Sequence, residues 1–194
     1  MKSTGDRLVA AAAWLLDQGG QPAVTMRAVA TAVDVSHNAP YKHFAGRTDL
    51  LAAVALLDYQ ALAERWRAIR DAVGEPRQQL LDAFEAIVAF SQAHPARYRL
   101  LFGTPDVAVR SDALDDAAET ALHAFTNIVI DCQRAGALPS SPSHNLGIML
   151  FATVHGLIDA DASGRLRSRT GWADIRAGMG FVLDLIAQPS DPDA

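Results

Sequence analysis

The residues best equipped for chemistry lie close together, in the run His37-Asn38-Ala39-Pro40-Tyr41-Lys42-His43-Phe44. Their side chains supply imidazole nitrogens, a carboxamide, a phenol and an ammonium, the donors and acceptors that meet phosphate oxygens and base edges. A helix built only for packing would bring three or four aliphatic side chains instead. Here Phe44, with Ala39 and Pro40, is the candidate to face inward. Pro40 falls in the first turn, where amides have no intrahelical partner, so its missing N–H loses no bond. The spacing predicts a helix over residues 37–44, about 12 Å long, enough to span a DNA major groove. A solvated surface helix is the competing reading of so polar a segment.

The preceding residues read as the scaffold for that run. Val24, Val29, Ala32, Val33 and Val35 make one apolar set, with Arg27, Thr31 and Asp34 off it, which predicts a short amphipathic helix beginning at about Met26. Thr25 stands where a hydroxyl accepts from an unpaired amide of the first turn. Asp34 and Val35 interrupt the pattern and Ser36 offers a second cap. The two helices are then joined by about three residues, the connection of a helix-turn-helix. Capped helix, short turn and donor-rich second helix occurring together favour contact with a polymer over a bare surface helix.

On these residues the segment resembles the TetR/AcrR-type bacterial transcription regulators. Their pattern is a first helix ending near a Gly, then T-x-R-x-[IV]-A, G-V-S, and Y-x-H-F followed by a Lys and a Leu pair. It appears here as Thr25, Arg27, Val29, Ala30, Val35, Ser36, Tyr41, His43, Phe44, Arg47, Leu50 and Leu51. Two positions depart from it: Asp34 replaces the turn Gly, and Gly46-Arg47 replaces Ser-Lys. Asp tolerates a left-handed backbone, Gly is an acceptable N-cap, and Arg keeps a phosphate partner. The resemblance implies that Thr25, Tyr41, His43 and Arg47 position phosphates, while Arg27, His37, Asn38 and Lys42, with the cap Ser36, face the groove. For Tyr41 and His43 a second reading stays open, partial packing under the first helix.

Length and composition fit a soluble regulator. The chain has 194 residues, half of them hydrophobic, enough for one large or two small domains with a substantial core. The apolar runs Leu8 to Leu16 and Leu50 to Leu57 fall far short of the roughly 18 residues of a membrane span. Asp6 and Arg7 precede the first run, Asp17 ends it and no cleavage site follows, so it reads as helix 1 and not as a signal peptide. A single Cys132 suits a reducing cytoplasm. Formal charge is −5 overall, +1 through Leu50 and −6 beyond it. A near-neutral head on an acidic bulk must bind DNA through placed contacts and paired geometry, with little help from a general basic field.

Beyond the head the periodicity predicts only helices: about Arg47 to Val73, Arg77 to His94, a short one from Pro95 to Phe102, Arg110 to Ala135, Ser143 to Ala162 and Trp172 to Ala187. Loops are expected at Thr104-Pro105 and from Gly164 to Gly171. The stretches His94 to Phe102 and Val154-His155-Gly156-Leu157 resemble the C-terminal domain of the Trp-His-Gly subgroup of the same family, with its Trp absent and Phe151 the nearest aromatic. The resemblance implies that the last two helices pair with their twins in a two-fold dimer. Phe151, Val154, Leu157, Ile158, Ile175, Met179, Val182 and Ile186 are the interface candidates. Trp66, Phe84, Phe90, Tyr98, Phe102, Phe125 and Met149 are candidates to line an apolar effector pocket, against the alternative of plain core, and His123 and His155 are candidate polar contacts there.

Enzyme signatures are missing. His155 and Asp159 stand four residues apart, yet no H-E-x-x-H or Cys cluster joins them, and no Gly-rich phosphate loop or G-x-S-x-G occurs. The expectation is therefore an all-α chain of about nine helices: a three-helix helix-turn-helix head (1–48), a ligand-binding and dimerisation body (49–188) and a frayed tail (189–194). Its expected role is that of a cytoplasmic, ligand-responsive homodimeric repressor of a pseudo-palindromic operator. Its partners are double-stranded DNA, a second copy and a small apolar effector, with no membrane, metal or cofactor. The alternative is a helical small-molecule-binding or interaction protein without DNA function.

Overall fold

The computed structural model describes residues 3–103, 111–166 and 171–187. They form eight α-helices and one 3₁₀ helix, with no strand among the described residues: α1 (Thr4–Ala23), α2 (Met26–Ala32), the 3₁₀ helix (Pro40–Lys42), α3 (Arg47–Asp71), α4 (Pro76–Ala93), α5 (Pro95–Phe102), α6 (Asp112–Arg134), α7 (Ser143–Ala162) and α8 (Ile175–Ala187). The expected loop at Thr104-Pro105, part of the 164–171 connection and the 189–194 tail lie outside the described residues. Contacts divide the chain into two units, Met1–Ala61 with Phe90–Thr120, and Leu62–Ala89 with Ala121–Ala194.

The first unit is built on α1. Ser3 and Asp6 close a capping box at its start, each side chain accepting the other's backbone N–H. Leu8, Ala12 and Leu16 follow at four-residue spacing, and all three are fully buried. They share one core with Val24, Val29, Leu50, Leu51 and Val54, closed by Leu100 of α5 and Leu114 of α6. Each buried leucine contributes roughly 2 kcal/mol. The α1 backbone leaves helical geometry at Gly19 and Gly20, Gly20 at φ 66, and the chain turns into α2. A second tie is ionic. Arg97 of α5 pairs with both carboxylate oxygens of Asp58 of α3 and lies 3.4 Å from Asp17 of α1, whose other contact is His94 Nδ1 at 2.9 Å. Burial works against the Arg97 charge, and the two carboxylates outweigh it, raising its pKa.

The second unit centres on aromatic side chains. Trp66, Phe84, Phe125 and Phe151 meet with ring centroids 5.4 to 6.1 Å apart, and the Trp66 indole N–H donates to Ala83 O at 3.0 Å. Helix α7 reaches α6 closely at Gly147, where any Cβ would come within 2.9 Å of Thr126 Oγ1. Leu150, Val154 and Ile158 of α7 and Ile175, Met179 and Leu183 of α8 are buried. Arg77 at the start of α4 pairs with Asp184 and donates to Gly180 O, while Arg176 reaches Asp82 at 3.1 Å and Glu85 at 2.5 Å. These pairs set the roll of α8. Cys132 is buried, its thiol donating to Pro76 O, and burial pushes its pKa up to about 11.

Three helices end in the same hydrogen-bonding pattern. After α6, Ala137 N–H reaches Cys132 O and Gly136 N–H reaches Gln133 O; after α7, Arg165 and Gly164 repeat the pair on Ala160 and Asp161. After α2 it is Val35 to Ala30 and Asp34 to Thr31. The pattern is a Schellman motif, which puts its C′ residue in left-handed backbone. Gly136 and Gly164 meet that at φ 71 and 75, and Asp34 is the non-glycine there, at φ 54. We therefore expect Asp34→Gly to raise stability by up to about 1 kcal/mol and Asp34→Val to lower it by about 1–2 kcal/mol, because a β-branched residue fits this conformation worst. Urea denaturation reads both, and a Val variant as stable as wild type would refute the assignment.

Candidate nucleic-acid interface

Helix α2 is short, and its sequence explains which side it buries. Met26, Val29 and Ala30 are buried, while Thr25 and Arg27 are exposed. Thr25 is the N-cap, its hydroxyl oxygen accepting Ala28 N–H at 3.1 Å, which leaves the O–H free to donate outward.

After the Asp34 turn, the structure corrects one expectation. Residues 37–44 do not form a continuous helix; turns lead into three residues of 3₁₀ helix, Pro40–Lys42. Pro40 is the physical reason, because it has no N–H to bond the carbonyls three and four residues back. Ser36 O takes Ala39 N–H instead, at 2.8 Å, so Ser36 caps through its carbonyl. The amides of His43 and Phe44 then both close on Pro40 O at 3.0 Å. Pro40 is buried and Phe44 half-buried, which pins the segment from below.

This anchoring presents the predicted polar residues together. Ser36, His37, Asn38, Tyr41, Lys42 and His43 are all exposed, Tyr41 at 58 %, while the His43 ring also lies beside Gly5 of α1, where a Cβ would meet its Nδ1 at 3.5 Å, so partial packing under the first helix stays open for His43. Arg27 and Lys42 make no ion pair among the described residues. Arg47 differs from the other candidates. It is half-buried, with Nε donating to Val24 O at 2.8 Å and a terminal nitrogen to Gln21 O at 2.5 Å. Sequence reasoning also passed over Arg7, which donates to Val33 O at 2.6 Å. A basic residue one turn into α1 carries no signal of its target.

The body candidates separate. Trp66, Phe84 and Phe125 are buried against one another, whereas Met149 is 65 % exposed. In the first unit Tyr98 and Phe102 pack at 5.2 Å, and the Phe90 ring lies beneath the Arg97 guanidinium. A groove of about 540 Å³ in the second unit is lined by residues between Arg65 and Ala89, none of them among the aromatic candidates. Among the interface candidates, Val154, Ile158, Ile175 and Met179 are covered within the chain itself, and Phe151, Leu157, Val182 and Ile186 are half-buried. The exposed apolar side chains of α7 and α8 are Ile148, Met149, Phe181 and Leu185, three of which sequence reasoning missed. Ring contacts place His155 against Phe151 at 4.2 Å, and burial pushes its pKa down to about 4, against the opposing pull of Asp159. No group of three metal-ligating side chains occurs among the described residues.

Residues 8–54 match the family model described as bacterial regulatory proteins, tetR family, and residues 80–182 match the tetracyclin repressor-like C-terminal domain. The chain is similar over 96 % of its length to a structure from Rhodococcus sp. RHA1 of a protein with unknown function, at 26 % identity and TM-score 0.80, covering 95 % of that chain. A TetR family transcriptional regulator, PfmR from Thermus thermophilus, aligns at 18 % identity and TM-score 0.64, covering 94 % and 97 % of the two chains. The fatty acid degradation regulator FadR from Bacillus halodurans aligns at 12 % identity and TM-score 0.73, covering 98 % of each. The last two show the fold alone. A comparison with curated proteins found no match.

The buried histidine has a measurable consequence. In the unfolded chain His155 takes a proton below about pH 6.5, while in the folded chain it stays neutral down to about 4. Its contribution to stability is therefore whole above pH 6.5 and is lost as pH falls towards 4. At pH 5 the loss is about 2 kcal/mol. Urea denaturation at pH 7.5 and 5 should show His155→Gln losing less stability than wild type between the two; equal losses would refute the assignment.

Proposed function

Since the chain belongs to the TetR family of bacterial regulatory proteins and is a helix-turn-helix DNA-binding regulator, we propose that it works as a homodimeric, ligand-responsive repressor of a pseudo-palindromic operator. The observation that carries the reading is the exposed edge of His37, Asn38, Tyr41 and Lys42, standing on a buried scaffold with no packing task of its own. With Arg27, Thr25, Ser36 and His43 it supplies phosphate and base-edge contacts. Asn offers a paired donor and acceptor to adenine, and Lys donors to guanine. In functional terms residues 1–48 are the DNA-reading head and 49–188 the effector and dimerisation body, in a cytoplasmic protein.

Exposed apolar surface supports the dimer reading. Ile148 and Met149 of α7 and Phe181 and Leu185 of α8 stand in solvent within one chain, and large apolar side chains left exposed on two neighbouring helices support an interaction site there. A second copy about a two-fold axis covers both sets at once and sets two heads about one DNA turn apart, roughly 34–36 Å. The Trp-His-Gly subgroup reading rests on His155 and Gly156, beside the cluster of Trp66, Phe84, Phe125 and Phe151. A small apolar effector that opens this cluster would favour one head spacing over another, lowering operator affinity by its differential binding to the two states.

Two measurements test the proposal. Sedimentation should show a dimer for wild type and a monomer for Phe181→Asp with Leu185→Asp, since buried like charges oppose the contact. In a gel shift with DNA from upstream of its own coding sequence, Tyr41→Ala and Lys42→Ala should each weaken salt-sensitive binding by about 1–3 kcal/mol, as removal of a base or phosphate partner does. No sequence-selective binding by wild type would favour the interaction-protein alternative, and unchanged binding by both variants would remove the proposed edge from recognition.

A further inference from the structure

Helix α2 has only seven residues, capped by Thr25 at its start and by the Asp34 turn at its end. A helix this short is unstable alone, and neither α1 nor α2 carries a basic residue in its last turn to meet its exposed carbonyls. Both missing cations come from elsewhere in the chain. Arg47, the first residue of α3, forks across Gln21 O and Val24 O, the carbonyls that end α1 immediately before the α2 cap Thr25. Arg7 of α1 donates to Val33 O, the C-cap residue of α2, one residue before the left-handed Asp34. The two guanidiniums thus grip the backbone on either side of α2, at the two junctions that decide where Thr25 and Arg27 stand and how the chain enters Ser36 to Lys42.

We propose that Arg7 and Arg47 form a two-ended clamp that positions α2 and the turn for DNA, and that neither is a phosphate contact. This rests on the DNA-binding reading above, and it narrows the cations that meet phosphate in the described head to Arg27 and Lys42. The chemistry is specific to guanidinium. Its planar set of donors satisfies two carbonyls at fixed spacing, whereas an ammonium is a point charge that serves a phosphate well and this fork poorly.

A salt titration of binding to a duplex selected by the wild-type protein from a random pool separates the two roles, because removing one protein–phosphate pairing lowers the slope of log K against log salt by about one. Lys42→Gln and Arg27→Gln should lower it by about one unit per subunit. Arg47→Gln and Arg7→Gln should weaken binding about tenfold or more with the slope unchanged, a loss of about 1.4 kcal/mol or more. Arg47→Lys should fail to restore affinity. Hydrogen exchange without DNA gives an independent readout: the α2 amides should exchange about tenfold or more faster in Arg7→Gln and Arg47→Gln but not in Lys42→Gln. A slope reduced by Arg47→Gln, full affinity in Arg47→Lys, or α2 exchange unchanged in both arginine variants would each overturn the clamp. Wild-type protein that binds no duplex would instead overturn the DNA reading, and the exchange result would still decide the clamp.

Discussion

A polar edge only one helical turn long cannot be held by its own hydrogen bonds, and the first unit is organised around that constraint. Nucleating a helical turn is unfavourable, and the 3₁₀ helix of Pro40–Lys42 never extends far enough to recover the cost. What fixes it is external. The α1 core of Leu8, Ala12 and Leu16 carries Val24 and Val29, the Schellman turn at Asp34 redirects the chain, and buried Pro40 ties the segment down from within. Every polar side chain of the edge is thereby released from structural duty. Tyr41 stands in solvent because Pro40, beside it, does the anchoring.

This arrangement also explains which parts of the molecule were legible in the sequence. Helix boundaries were, wherever capping, proline or glycine coincided with a change of periodicity: α7 occupies Ser143–Ala162 as its pattern predicts, and α3, α4 and α6 lie within a few residues of expectation. The edge residues were legible by composition, since so polar a run has little reason to pack. The helical form of residues 37–44 was not. With Ser36 as the cap, Pro40 falls at the fourth helical position, where its missing N–H forfeits the bond to Ser36 O, and Phe44 turns towards the core before a second turn can form.

The face of α8 was hidden for a different reason. Ile175, Met179, Val182, Leu183 and Ile186 form one stripe at helical spacing, and the structure buries or half-buries all five, but periodicity does not say whether a stripe meets the chain's own core or a second copy. The choice is made by charge. Arg77 and Arg176 reach Asp184, Gly180 O, Asp82 and Glu85, and that roll turns Met179 and Leu183 inward and Phe181 and Leu185 out. Individually such pairs contribute little to stability, since exposed ion pairs are typically worth under about 1 kcal/mol. Their effect is to select among orientations that apolar burial leaves nearly equal.

Charge plays the same part in the head, and this bears on affinity. Read as a sum, the head is barely basic, which suggests weak binding spread over every cation. Placed in three dimensions, Arg7 and Arg47 donate to backbone carbonyls, and of the Lys and Arg side chains of the described head only Arg27 and Lys42 are left without a hydrogen-bond or ion-pair partner at the surface. A single head then has few free cations with which to offset an acidic chain. In the proposed dimer the second head's encounter with DNA becomes intramolecular, which raises affinity without any new contact. On the proposed reading, an economy of free cations makes operator affinity depend steeply on dimer geometry, the dependence that an effector would need in order to release DNA by altering the spacing of the heads.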